Sequence, residues 1–246
     1  MLMKIKFLFF LAGVLSGCAT GRLPDDFIYS PVKTANYDIA SWSRNRDSKS
    51  PVHIYIEGDG HAFDAYGRPT SNPTPHGDLV RRMASMDDGA NVVYLARPCQ
   101  YVMSDKCRTT DWTTGRFSEN IVNAMSDAVG QVAKNRPVVL IGYSGGALIS
   151  GLIIRQNPAI DVREWITVAG VLNHSDWTEY FGDSPLSDSI DLDVLPRVPQ
   201  RHYIAQHDNV VPMSLSRRWL GDGHAIVIPN ATHGDLKKFK LHIDKI

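Results

Sequence analysis

The chain has 246 residues, 43% of them hydrophobic, and carries 26 Lys and Arg against 26 Asp and Glu. That length supports one well-buried domain. The balanced charge excludes a binding mode driven by electrostatic capture of nucleic acid or anionic lipid heads, and no internal repeat divides the sequence.

Lys4 and Lys6 precede an almost unbroken apolar run from Phe7 to Leu15, followed by Ser16, Gly17 and Cys18. A basic start, a short apolar core and small residues describe a secretory signal, because the run is too short to cross a bilayer. Leu15-Ser16-Gly17-Cys18 resembles the bacterial lipobox, in which cleavage leaves the cysteine as a lipidated first residue. The expected organisation is a signal peptide over residues 1–17, a lipidated tether over 18–26 and one domain over 27–246. Several acyl chains on Cys18 would anchor the protein stably where one is marginal. Ala19, rather than aspartate, follows the cysteine, so the expected location is the outer membrane, facing the periplasm. Loss of Lys4 and Lys6 leaves the mature chain with two fewer basic than acidic residues.

Residues 27–42 alternate well enough to predict antiparallel edge strands, and residues 43–50 read as a charged turn. Strand-like runs follow over 52–56, 91–96, 138–142, 165–169, 202–205 and 225–228. Helix-like segments lie between and after them, over 77–86, 118–135, 146–155, 213–220 and 235–243. This alternation predicts a mostly parallel sheet with helices on both faces and ligands beyond the carboxyl ends of the strands. With Cys18 set aside, Cys99 and Cys107 form a pair in an oxidising compartment and are expected to be disulfide-bonded. Neither a CxxC spacing nor a cluster of histidines accompanies them, so no metal site is expected.

The most informative stretch is Pro137-Val138-Val139-Leu140-Ile141-Gly142-Tyr143-Ser144-Gly145-Gly146. A β-branched apolar run turns at once into a helix-compatible run, with a serine at the apex. A serine hydroxyl is a weak nucleophile and needs an imidazole steered by a carboxylate. Asp208 lies just beyond the strand at 202–205, and His233 just beyond the strand at 225–228. Ser144 is the expected nucleophile, His233 the general base and then acid, and Asp208 the orienting carboxylate. Asp176, beyond the strand at 165–169, is the rival acid. Arg97 and Arg116 are expected to pair with carboxylates or backbone carbonyls, with an anionic substrate group as the alternative partner.

The order Ser, Asp, His, each after its own strand, resembles the α/β-hydrolase superfamily. Together with the lipobox, the segments IEGDGH, YLARPCQY and GYSGG resemble small bacterial α/β-hydrolase lipoproteins. The resemblance covers most of the chain from Val52 to Gly234 and implies an α/β-hydrolase fold with a small cap or none. It also implies an oxyanion hole. One donor would be the Gly145 amide, and the other the amide of Asp59 or Gly60, in a loop where Glu57 replaces the histidine many relatives carry. Residues 173–199 sit where relatives insert a cap, with Trp177, Tyr180 and Phe181 near its start.

The expectation is a lipid-anchored serine hydrolase that cleaves a small-molecule or lipid ester through an acyl-enzyme, without a cofactor. An acyltransferase using the same triad is the chemical alternative. A non-catalytic envelope scaffold on the same fold is the other. No oligomeric state is legible in the sequence.

Overall fold

The computed structural model describes residues 23–221, 224–237 and 239–243. The signal peptide, Cys18 and most of the tether lie outside the described residues.

Among the described residues, ten strands and five α-helices follow one another in chain order: β1 (Ile28–Tyr29), β2 (Val32–Lys33), β3 (Asp38–Ile39), β4 (Ser41–Asn45), β5 (Val52–Ile56), α1 (Leu79–Ser85), β6 (Asn91–Leu95), α2 (Glu119–Ala133), β7 (Val138–Tyr143), α3 (Gly145–Gln156), β8 (Val162–Val168), α4 (His174–Phe181), β9 (Gln200–Ala205), α5 (Met213–Leu220) and β10 (Ala225–Ile228). Eight strands make one sheet in the order β1-β4-β6-β5-β7-β8-β9-β10. From β6 to β10 every pairing is parallel, while β4 joins β6, and β1 joins β4, in antiparallel fashion. β2 and β3 pair separately as a small antiparallel ladder.

The central strands are buried, apart from the partly buried Tyr143 at the end of β7, because both faces of the sheet are covered. Successive side chains point to opposite faces. Ile54, Ile56, Val93, Leu95 and Leu140 pack with Ile121 and Met125 of α2 and Leu148 and Ile149 of α3. Tyr55, Val92, Tyr94, Val139 and Ile141 pack on the other face with Val80, Met83 and Ala84 of α1.

Two expectations are corrected. Residues 43–45 continue β4 rather than opening a turn, because they pair with Asn91, Val92 and Val93 at a sheet edge. The helix expected over 235–243 does not form. Thr232 and Asp235 exchange backbone hydrogen bonds instead, and Lys237 takes a left-handed conformation that interrupts any helix (φ 58°). The apolar residues of this segment still cover the sheet, with Leu236, Phe239 and Leu241 in the α1-side core and the Phe239 ring 4.9 Å from that of Tyr203.

Residues 173–199 hold only α4 and an irregular return. Asn173 caps α4 by accepting from the Asp176 amide, and Gly182 ends it in the left-handed region. No described helix is long and apolar enough to cross a membrane.

Candidate active site

β7 ends in a turn so tight that two positions exclude any side chain. A Cβ on Gly142 would lie 2.4 Å from the Gly146 carbonyl oxygen, and one on Gly146 would lie 2.5 Å from that of Ile56. Between them Ser144 adopts φ 51° and ψ −124°, a strained conformation for a residue with a Cβ. Val168 and Ser144 are joined by the Ser144 amide, and the Ser144 carbonyl accepts from Ala147 and Val171. These bonds hold the strain in place.

The ends of β9 and β10 bring the remaining two groups to this apex. His233 Nε2 lies 3.0 Å from Ser144 Oγ, and its Nδ1 lies 2.9 Å from Asp208 Oδ2. In that geometry Nδ1–H donates to the carboxylate and Nε2 is left to accept the serine proton. The second carboxylate oxygen of Asp208 accepts from the amides of Val210 and Val211 at 2.8 and 2.7 Å. The Val-Val-Pro turn therefore fixes the acid. Tyr143 OH donates to the His233 carbonyl at 2.9 Å, fixing the histidine loop from beneath, and burial pushes that phenol above its ordinary pKa.

Asp176 is turned elsewhere. Its Oδ2 accepts from Trp219 Nε1 at 2.7 Å, on the flank of α4. It thus ties α4 to α5 and does not contact His233.

The loop after β5 carries two further carboxylates, Glu57 and Asp59, the second of which meets the guanidinium groups of Arg97 and Arg116. Glu57 is buried; its two oxygens accept from the Gly58 amide and from Tyr94 OH, at 2.9 and 2.8 Å. Burial raises its pKa above the ordinary range, against the pull of those hydrogen bonds. Asp59 is held from two sides, with Oδ1 2.6 Å from Arg97 Nη1 and Oδ2 3.0 Å from Arg116 Nε. Arg97 also donates to the Arg116 carbonyl. Burial lowers the Arg97 pKa while Asp59 opposes the change, and a guanidinium so placed stays charged.

Gln100 completes this frame. Its side chain donates to the Gly58 carbonyl at 2.9 Å and accepts from the Arg97 amide at 3.0 Å. The Cys99–Cys107 disulfide brackets Gln100. Gly60 needs its freedom here: its φ is +67°, and a Cβ would lie 2.1 Å from the Pro73 carbonyl oxygen.

Arg97 and Arg116 pair with a carboxylate and with backbone carbonyls as expected, although the sequence did not single out Asp59 as the carboxylate they share. Gln100 and Tyr143 carried no signal as site residues, since their roles arise from partners 42 and 90 positions away.

No family model matches the chain, and no curated protein does. Solved structures match over nearly its whole described length. A serine hydrolase of the α/β class from Xanthomonas campestris, described as having no lid, aligns with a TM-score of 0.55 and 16% identity, covering 87% of this chain and 88% of that one. The chain has the α/β-hydrolase fold. An α/β serine hydrolase homologue from Coxiella burnetii matches with a TM-score of 0.54 and 14% identity, covering 87% of this chain and 91% of that one. A serine hydrolase from Cycloclasticus zankles matches with a TM-score of 0.57 and 10% identity, over 84% and 91% of the two chains. The α/β-hydrolase fold here lacks a large cap domain, because residues 173–199 add only one short helix.

Proposed function

We propose that this protein is a serine hydrolase that cleaves ester or related acyl bonds through an acyl-enzyme. The observation that carries the reading is the continuous relay from Ser144 Oγ through His233 to Asp208, with both links at 2.9–3.0 Å. His233 takes the serine proton as Ser144 attacks the acyl carbon, then delivers it to the leaving oxygen. Asp208 holds the tautomer and stabilises the imidazolium that forms. A scaffold on this fold would have no use for such alignment, which favours the catalytic reading.

The oxyanion needs donors that are not already spent. Gly145 opens α3, where helix N–H groups lack intrahelical partners. The Gly58 amide is committed to Glu57. Asp59 is the preferred second donor, because Gly58 directly before it would bring a Cβ within 3.1 Å of Ser144 Cβ, whereas Gly60 packs on Pro73 and Gln100. On this reading Arg97, Arg116 and Gln100 act as positioning residues for that amide.

Lipidation of Cys18 and attachment to the outer membrane, facing the periplasm, are part of the proposal and rest on the N-terminal sequence alone. Hydrolase-named neighbours support transfer of the acyl group to water.

The direct test is labelling of the chain from Ala19 onward with a fluorophosphonate probe, beside Ser144→Ala and His233→Ala. Labelling of the wild type alone is expected. A folded wild type that resists the probe would remove the hydrolase reading.

A further inference from the structure

Two spaces of very different size meet at Ser144. One is an open cleft of about 700 Å³ whose walls include His233, Tyr143, Leu79, Phe63 and the close but tilted rings of His61 and His76. The other is a recess of about 30 Å³ that reaches Ser144, Phe117, Val171 and His174 but not His233.

Acyl transfer decides which part of a substrate each space must take. The leaving oxygen receives its proton from His233 Nε2, so the alcohol part lies on the side that His233 lines. The acyl tail is left with the recess. A water molecule needs roughly 10–15 Å³ of such volume, so the recess admits about two heavy atoms beyond the carbonyl carbon.

Its walls are fixed. Phe117 is fully buried, and its ring lies parallel to that of His174 at 5.7 Å. The His174 amide donates to Asp191 at 2.6 Å, and His174 Nε2 lies 3.3 Å from the same carboxylate. Arg116, the charged wall, is engaged by Asp59 and by the Thr113 carbonyl. Trp177 and Val210 border both spaces and are tied together by a hydrogen bond from Trp177 Nε1 to the Val210 carbonyl at 2.7 Å. With Asp59 and Arg116, which also line both spaces, they form the partition.

Building on the serine hydrolase reading, we infer that the substrate is a short-chain ester, acetyl or propionyl, of a bulky alcohol. Ser144 Oγ bonds to the acyl carbon as the carbon–oxygen bond to the alcohol breaks, and the serine proton leaves with the alcohol by way of His233. Water then attacks the acyl-enzyme, restoring the Ser144 hydroxyl and releasing a short carboxylic acid.

The test is kcat/KM for p-nitrophenyl esters from acetyl to octanoyl below their micellar concentrations, using the chain from Ala19 onward. Between propionyl and hexanoyl a fall of about tenfold or more is expected, the scale on which a pocket rejects surplus methylenes. Trp177→Ala should recover most of that loss by opening the recess into the cleft. Val210→Ala, at an exposed position, should do so in part and serves if the tryptophan variant folds poorly. A hexanoyl ester cleaved as well as the acetyl ester by a wild type whose Ser144 takes the fluorophosphonate overturns the acyl-length inference alone. Failure of the probe to label Ser144 overturns the hydrolase reading and this inference with it.

Discussion

The Asp59 carboxylate, 2.6 Å from Arg97 Nη1, occupies the space into which a Cβ on Gly145 would project, with Oδ1 only 2.1 Å from that point. The loop after β5 thus packs against the first turn of α3, and its ion pair with Arg97, beyond β6, holds the carboxylate there. Because Arg97 is buried and tied to two partners, the carboxylate has little freedom to retreat.

Arg97→Met should destabilise the fold by about 2–3 kcal/mol. Breaking a buried pair costs about 3–5 kcal/mol, reduced here because Asp59 is partly exposed and keeps Arg116. Urea unfolding monitored by tryptophan fluorescence measures it. Equal midpoints for variant and wild type would show that the pair contributes no stability.

Asp208→Asn should lower kcat by about 10³–10⁴-fold with little change in KM, since an amide in place of the carboxylate favours the wrong imidazole tautomer. Asp176→Asn should leave kcat within a few-fold, because that side chain serves Trp219. Steady-state kinetics on one chromogenic ester separates the two, and a reversed pattern would reassign the acid.

Cys99→Ser should lower the melting temperature by about 5–10 °C under oxidising conditions. Closing a loop this short contributes roughly 2.5 kcal/mol, and in a domain of this size each kcal/mol moves the transition by about 2–4 °C. Differential scanning calorimetry with and without reductant checks it, the variant being expected to ignore the reductant.

His202 makes stability fall on acidification. Burial beside Thr167, Gln200 and Trp165 pushes its pKa down to about 4, against about 6.5 in the unfolded chain. Between those values the unfolded state binds the extra proton, so this contribution is intact above pH 6.5 and is lost as pH falls toward 4. His202→Gln, which cannot titrate, should flatten the loss of stability between pH 7 and pH 4.5 relative to wild type. Parallel stability curves for the two proteins would show that His202 is not the group responsible.

The parallel sheet and the sharp turn at Ser144 were legible because each rests on local rules: apolar runs of strand length, and glycines where strand and helix must touch. The C-terminal segment misled for the same reason. Its mixed apolar and basic residues read as a helix, yet Lys237 turns left-handed and Leu236, Phe239 and Leu241 reach the sheet from an irregular path. Local pattern reports which side chains are buried more faithfully than how the backbone delivers them.

The sequence by itself determined the strand-to-helix alternation, the sharp turn at Ser144 and the order in which serine, aspartate and histidine leave successive strands. Tertiary structure alone decided that His233 faces Asp208 while Asp176 serves Trp219, that Arg97 and Arg116 converge on Asp59, and that the space beside Phe117 and His174 is small. Those outcomes depend on the directions of side chains from segments tens of residues apart. Such directions are set by sheet register and by competition for a few buried hydrogen bonds, which no local stretch of sequence contains.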